Sequence, residues 1–430
     1  MSLTLYAVIG IAVLFLLMFL RMPISFSMLI VGFAGLYAVV SSKAAFTVVS
    51  GDLWSQFSSY SLSVIPLYVF MGEIVFRSGI TERLFQAAYK WVGHYRGGMI
   101  WTVILASAGF GSICGSNSAT SATIGSMALP ELKKFKYSDT LSTGSVAGGG
   151  SLGIIIPPST VLLVIAIQAQ LSIKDLFVAS IVPSILLVVL FLLVIGYVCW
   201  RDPEMAPAAG HNPTLIEKLK AISGVMPTLL LLIFVIGGLF LGWFTPTESG
   251  AVGAFGSLAY AVARRKLSWV NFKLAVFDSL RSSAMVIMMV LGALVFGRFL
   301  TITRLPFEVA DWVTSLTIPS VWIMVMIFVV FVIGGHIMDA FGFLIISIPI
   351  FFPAAVQLGY DPIWFAVMMC IITSVGAITP PFGINVFVVK GLVPDVPVMS
   401  IFKGSLYYVY AYLICIAILT AFPKLMTFIL

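Results

Sequence analysis

Gly148-Gly149-Gly150-Ser151-Leu152-Gly153-Ile154-Ile155-Ile156-Pro157-Pro158 interrupts an apolar run long enough to cross a bilayer. Each proline removes a backbone donor and clashes with the preceding turn, and glycine is a poor helix former. The segment must unwind near mid-membrane. Non-helical backbone at that depth survives only when buried in protein or lining a wet cavity. A single break of this kind is an ordinary kinked helix; recurrence is what constrains the fold. Gly376-Ala377-Ile378-Thr379-Pro380-Pro381 repeats it 223 residues later, setting Gly153 on Gly376 and Pro157-Pro158 on Pro380-Pro381. The same offset places Pro23 on Pro246, Pro130 on Pro353 and Tyr137 on Tyr360, and an offset of 220 matches Gly72-x-x-Val75-Phe76 to Gly292-x-x-Val295-Phe296. Two related halves, 1–210 and 211–430, are the economical explanation. Paired interrupted helices in corresponding halves point to a transporter's binding site.

The composition agrees with a membrane setting. Apolar residues make up 61% of the 430 residues and charged residues 9%, with a mean hydropathy of +1.14. Those values exclude a soluble globular protein and imply a polytopic helical one. Strand-like alternation is absent, which argues against a membrane barrel. The net charge of +7 reads as basic cytoplasmic loops, with no nucleic acid partner. Cys114, Cys199, Cys370 and Cys415 lack metal-ligand spacing and read as packing residues. The first apolar stretch has no basic leader or cleavage site and is expected to be a retained helix. No Gly-x-x-x-x-Gly-Lys-Ser/Thr phosphate loop occurs, so ATP is not expected to drive the protein.

Along the chain, spans are expected over 4–20, 24–40 and 61–77, with a mixed connection over 41–60. An amphipathic interfacial helix follows over 79–97. Residues 99–132 carry Gly115-Ser116-Asn117-Ser118-Ala119-Thr120 at their middle and have basic flanks on both sides, so they are read as a re-entrant hairpin. A broken span over 138–168, a span over 174–199 and a polar linker complete the first half, with His94 and His211 in solvated loops. The second half is expected to hold spans at 224–243, 248–263 and 283–301, with interfacial helices at 266–281 and 304–318. A hairpin over 321–358, a broken span over 362–389 and a last span over 404–422 follow. With the N-terminus outside, only Lys43, Lys174, Arg298, Arg304 and Lys424 of the 23 basic residues fall outside. That bias supports the crossing pattern, places both termini in the periplasm and inverts the second half relative to the first.

Inverted halves bring two hairpin tips and two unwound helices together near the midplane. Ser116, Asn117 and Ser118 supply neutral oxygens and the glycine-rich breaks free backbone carbonyls, a set suited to Na⁺. Freed helix N-termini favour an anionic substrate. Asp339 is a carboxylate within a tip at membrane depth and is functional by default, with pairing to His336 or to a backbone donor as the structural alternative. Glu73 reads as a buried hydrogen-bonded group and Arg298 as a side chain snorkelling outward. Glu248 and Arg304 lie at the outer face, where a periplasmic partner could dock.

The Gly-Ser-Asn-Ser-Ala-Thr tip, the Gly-x-x-x-Pro-Pro breaks and the two-hairpin inverted layout resemble the large membrane subunit of tripartite ATP-independent periplasmic (TRAP) transporters, the DctM family. The resemblance covers essentially the whole chain. It implies an all-α ion-transporter-type elevator fold with two re-entrant hairpins and two broken helices, in the bacterial inner membrane. It implies Na⁺-driven uptake of an organic acid delivered by a soluble periplasmic substrate-binding protein, with a separate small membrane subunit of about four spans. Carried over, a first Na⁺ site would use Ser116 and Asn117 with carbonyls near Gly149 and Gly150, and a second Gly335, Gly376 and Thr379. Substrate would lie between Ser118, Thr120 and the facing tip with Asp339. The second tip departs from the first, since Met338-Asp339-Ala340 stands where Ser-Asn-Ser would. The competing readings are a Na⁺/carboxylate symporter independent of a binding protein and a channel, for which two blind-ended hairpins have no purpose. An intramembrane enzyme would need a catalytic constellation that three scattered histidines do not make.

Overall fold

The computed structural model describes residues 2–207, 213–428 and 430. The expected boundary at 210/211 and His211 lie outside the described residues. The described chain is helical throughout, and seven of its helices are long and apolar enough to cross a membrane. Four shorter apolar helices join them: Leu3–Phe19, Ile24–Val39, Gly98–Cys114 and Pro362–Gly376.

The interior is built from the interrupted helices. The first consists of Asp139–Gly150, a 3₁₀ turn at Ser151–Ile154 and Thr160–Gln168; the second of Pro362–Gly376 and Ile384–Leu392. Every residue of 141–150 and of 364–376 is buried. Helices apolar or small on all sides have no face to show to solvent and are packed on all of them. Glycine permits that packing. A Cβ on Gly144 would stand 2.2 Å from the backbone of Gly404, so Asp139–Gly150 lies backbone to backbone against Val398–Ala421, as small residues allow between membrane helices. Tyr408 and Tyr412 from the same helix bond Ser145 and Ser151 through their hydroxyls, at 2.6 and 2.8 Å.

Two helical hairpins flank this interior: Gly98–Cys114 with Asn117–Lys134, and Ser320–Ile337 with Ala340–Gln357. At the 223-residue offset the start of Asn117–Lys134 coincides with that of Ala340–Gln357. An outer group includes Ile24–Val39, Val64–Arg77, Pro246–Ala263 and Trp269–Ile302. Ile24–Val39 and Trp269–Ile302 touch through backbone at two places. A Cβ on Gly32 would stand 2.7 Å from Phe296 N, and one on Gly292 2.4 Å from the Ser25 carbonyl.

The structure corrects the expected elements in three places. The connection over 41–60 contains a helix, Ser42–Phe57, capped by Ser41 Oγ on the Ala44 N–H and seated by Phe46 against Phe33. The expected interfacial helix at 266–281 and span at 283–301 are one 34-residue helix, Trp269–Ile302. Charged residues marked an interface there, yet nothing between Arg281 and Ala284 breaks a helix. The span expected from 224 begins at Leu215, because Thr214 and Glu217 form a capping box.

Candidate functional site

Local capping chemistry makes the first tip. Gly115 adopts φ 63°, which ends Gly98–Cys114 in the left-handed region that glycine tolerates. Ser116 is extended, and its Oγ accepts the Ala119 N–H to start Asn117–Lys134. The tip then locks onto the first break. Asn117 Oδ1 accepts the Ile154 N–H at 3.2 Å. Thr160 Oγ1 donates to the Gly115 carbonyl at 2.9 Å. Thr120 Oγ1 donates to the Ser116 carbonyl at 2.7 Å. A Cβ on Gly153 would meet that carbonyl at 2.6 Å, which is why the break needs glycine there.

The second tip is held differently. Gly335 and Gly376 are in backbone contact, and a Cβ on Gly376 would stand 2.2 Å from Gly335 C. Asp339 occupies the N-cap position of Ala340–Gln357 and is exposed. His336 Nδ1 contacts the Val332 carbonyl of its own helix, so the His336–Asp339 pairing weighed from sequence is not formed. Each break contains a cis Pro-Pro bond, at Pro157-Pro158 and Pro380-Pro381. The breaks are also tied to the opposite half. Asn385 Nδ2 donates to the Ala147 carbonyl at 3.1 Å and Cys370 Sγ to the Ile154 carbonyl at 3.3 Å.

Both tips and both breaks open onto one cavity of about 350 Å³. Gly115, Ser116, Asn117 and Ser118 come from the first tip, Asp339, Ala340 and Phe341 from the second, Ile154 and Thr160 from the first break, and Ala377 and Asn385 from the second. The far wall is Val69, Gly72 and Glu73 of Val64–Arg77 with Ser282, Met285 and Val286 of Trp269–Ile302. Of the residues singled out from sequence, Ser116, Asn117, Ser118 and Asp339 are thus brought together. Thr120, Thr379, Gly335 and Gly376 do not line the cavity, Thr379 Oγ1 donating to the Val375 carbonyl at 2.7 Å. Gly149 and Gly150 do not line it, and a Cβ on either would meet the Oγ of Ser107 or Ser121, at 2.6 and 1.8 Å.

Glu73, read as a buried hydrogen-bonded group, is ion-paired instead and faces the cavity. Its Oε2 lies 3.5 Å from Arg77 Nε, and Arg77 in turn bonds Asp278. Asn385 was missed. An amide inside an apolar run just past a Pro-Pro break was the available signal, hidden because its counterpart at the 223 offset is Leu162. Arg298, expected to snorkel, forms a two-pronged pair with Asp52 at 3.3 Å. Glu248 and Arg304 are exposed. The Glu248 carboxylate accepts the Thr245 N–H and hydroxyl at 2.8 and 2.9 Å, capping its own helix.

Spanning helices that surround a polar cavity closed by two hairpin tips and two unwound segments define a membrane transport protein. Sequence comparison names the family. Residues 11–425 match the model of the tripartite ATP-independent periplasmic transporter, DctM component, and the chain belongs to that family. It is 32% identical over 374 residues to the C4-dicarboxylate TRAP transporter large permease protein DctM of Pseudomonas aeruginosa, covering 86% of each chain. It is 27% identical over 410 residues to the sialic acid TRAP transporter large permease protein SiaM of Vibrio cholerae, covering 95% of this chain and 94% of that one. Among solved structures, the Alcanivorax borkumensis YdaH transporter superposes with a TM-score of 0.62 over 87% of both chains at 16% identity, a likeness of fold alone.

Proposed function

We propose that this permease imports a small organic acid by a Na⁺-driven elevator mechanism. A soluble periplasmic binding protein delivers the acid, and a small membrane subunit of about four spans completes the complex in the bacterial inner membrane. The carrying observation is the single cavity onto which both tips and both breaks open. Ser116 and Asn117 offer neutral oxygens there, and each keeps a lone pair beyond the bond it makes to backbone. With carbonyls of the first break they suit Na⁺, and the Gly335–Gly376 contact with Thr379 frames the second ion. Ser118 and Asp339 face the cargo, while Thr120 holds the tip in shape. The two relatives are named for a C4-dicarboxylate and for sialic acid, both carboxylates, which supports an acid as cargo. The halves 1–210 and 211–430 act as inverted repeats, the outer helices as scaffold and the hairpins with their breaks as the moving part. Glu248 and Arg304 contribute to docking the binding protein at the periplasmic face, and reversing both charges weakens uptake.

The test is uptake in proteoliposomes containing the permease, small subunit and binding protein, with a panel of organic acids under Na⁺, H⁺ or no gradient. Accumulation that requires the Na⁺ gradient is expected. Accumulation driven equally by H⁺, or flux that only equilibrates the acid, overturns the reading.

A further inference from the structure

The cavity is polar in one sense only. Among the described residues that line it, the charged ones are Glu73 and Asp339, both acidic; no Lys, Arg or His joins them. The nearest guanidinium, Arg77, is shared between Glu73 and Asp278, so one positive charge serves two carboxylates. The unpaired hydrogen-bonding groups have the same bias. Asn385 is fully buried, and its Nδ2 donates to the Ala147 carbonyl. The reversed amide would set oxygen against oxygen, so that bond fixes the orientation. Asn385 Oδ1 is left without a partner, and Glu73 Oε2 has only the Arg77 guanidinium that Asp278 shares. Buried acceptors without donors are destabilising and are normally satisfied by whatever occupies the space. At the first tip the polarity is opposite. Asn117 Oδ1 is taken by the Ile154 N–H, which leaves its Nδ2 hydrogens as donors beside the Ser118 hydroxyl.

We infer that the cargo is an acid whose carboxylate meets the first tip and whose opposite face carries hydrogen-bond donors, an ammonium or hydroxyl groups, turned towards Glu73 and Asn385. This rests on the uptake reading above and narrows which acids enter. A second carboxylate in place of those donors would face Glu73, whose Arg77 is already shared with Asp278, and no further cation lines the cavity. Across a cavity this size, about 8 Å, one such repulsion weakens binding by roughly thirty-fold at an effective dielectric constant of about 20. A donor-bearing face removes that penalty and offers the Asn385 acceptor a partner.

The experiment measures thermal stabilisation and binding of the purified permease with its small subunit, in saturating NaCl, across small acids sorted by donors. Homoserine carries an ammonium and a hydroxyl, gluconate carries hydroxyls, and succinate carries neither. Donor-bearing acids are expected to bind at least about ten-fold more tightly than succinate. E73Q is expected to shrink that ratio to about three-fold or less while Na⁺ alone still stabilises the protein. N385L, which substitutes the residue found at the corresponding position of the first half, should shrink it as well and serves if E73Q does not fold. Succinate binding as tightly as the others, or no donor-bearing acid binding, overturns the inference. So does a ranking unchanged in both variants, or an E73Q effect confined to the Na⁺ dependence, which would assign Glu73 to a free alkali ion. Na⁺-dependent uptake of succinate would sink this inference and leave the uptake reading standing; absence of Na⁺-dependent uptake for every acid sinks the latter.

Discussion

The two tip-and-break pairs solve one problem by different means. In the first half, side chains hold the unwound segment: Asn117 and Thr160 bond backbone across the gap, and Thr120 braces the tip. In the second half, Gly335 and Gly376 simply touch. Hydrogen bonds tolerate small displacements of their partners and can be replaced by similar groups. A glycine-to-glycine contact admits no substitution. Asp339 faces the cavity from the start of its helix, beside the N–H groups of Ala340, Phe341 and Gly342, whereas Asn117 gives its oxygen to the first break.

Four substitutions break or sharpen that contrast. The largest effect is expected at the contact. Gly376→Val puts methyl groups where even a Cβ has no room, and uptake in proteoliposomes should fall about a hundred-fold or more; Gly224→Ala, whose Cβ meets nothing within 4 Å, is the control and should keep full activity. Next is the first tip. Asn117→Ala leaves the Ile154 N–H unpaired and should cost about 1–3 kcal/mol in thermal or denaturant unfolding, with Asn117→Asp, which keeps the acceptor, recovering most of it. Asp339→Asn should leave stability within about 0.5 kcal/mol while raising the half-saturating Na⁺ concentration several-fold. A melting temperature lowered as much as in Asn117→Ala would show that both tips are braced alike. The smallest change is expected away from both. Arg298→Gln removes an ion pair whose arginine side chain is 56% exposed, and less than about 1 kcal/mol should be lost.

Much of this contrast was legible in the chain. Breaks that need glycine and proline announce themselves, because no other residues remove donors and admit backbone so close. The first tip was equally readable, since Ser116 is a helix start and Asn117 a polar residue inside an apolar run. What escaped were features set by tertiary partners. The Ser42–Phe57 helix has mixed composition and is defined by where Phe46 and Asp52 find Phe33 and Arg298. Glu73 was legible as a bonded group but not as facing the cavity, because an i,i+4 arginine explains it locally. Gly149 and Gly150 were read for their backbone carbonyls; what the chain alone did not show is that Ser107 and Ser121 pack against them where a side chain would stand.

The 34-residue helix Trp269–Ile302 has a geometric consequence. At 1.5 Å per residue it is about 51 Å long, against roughly 30 Å of hydrocarbon. Even the steepest usual inclination, about 40°, hides only about 39 Å of it. Some 12 Å must extend past the hydrocarbon into the headgroup layer, and the Arg281–Asp278–Lys273 end is the part dressed for it. Bolted to Ile24–Val39 through two glycines, it forms a stiff keel reaching past the hydrocarbon, a lever arm on which a neighbouring protein's push would be felt at the wall of the cavity.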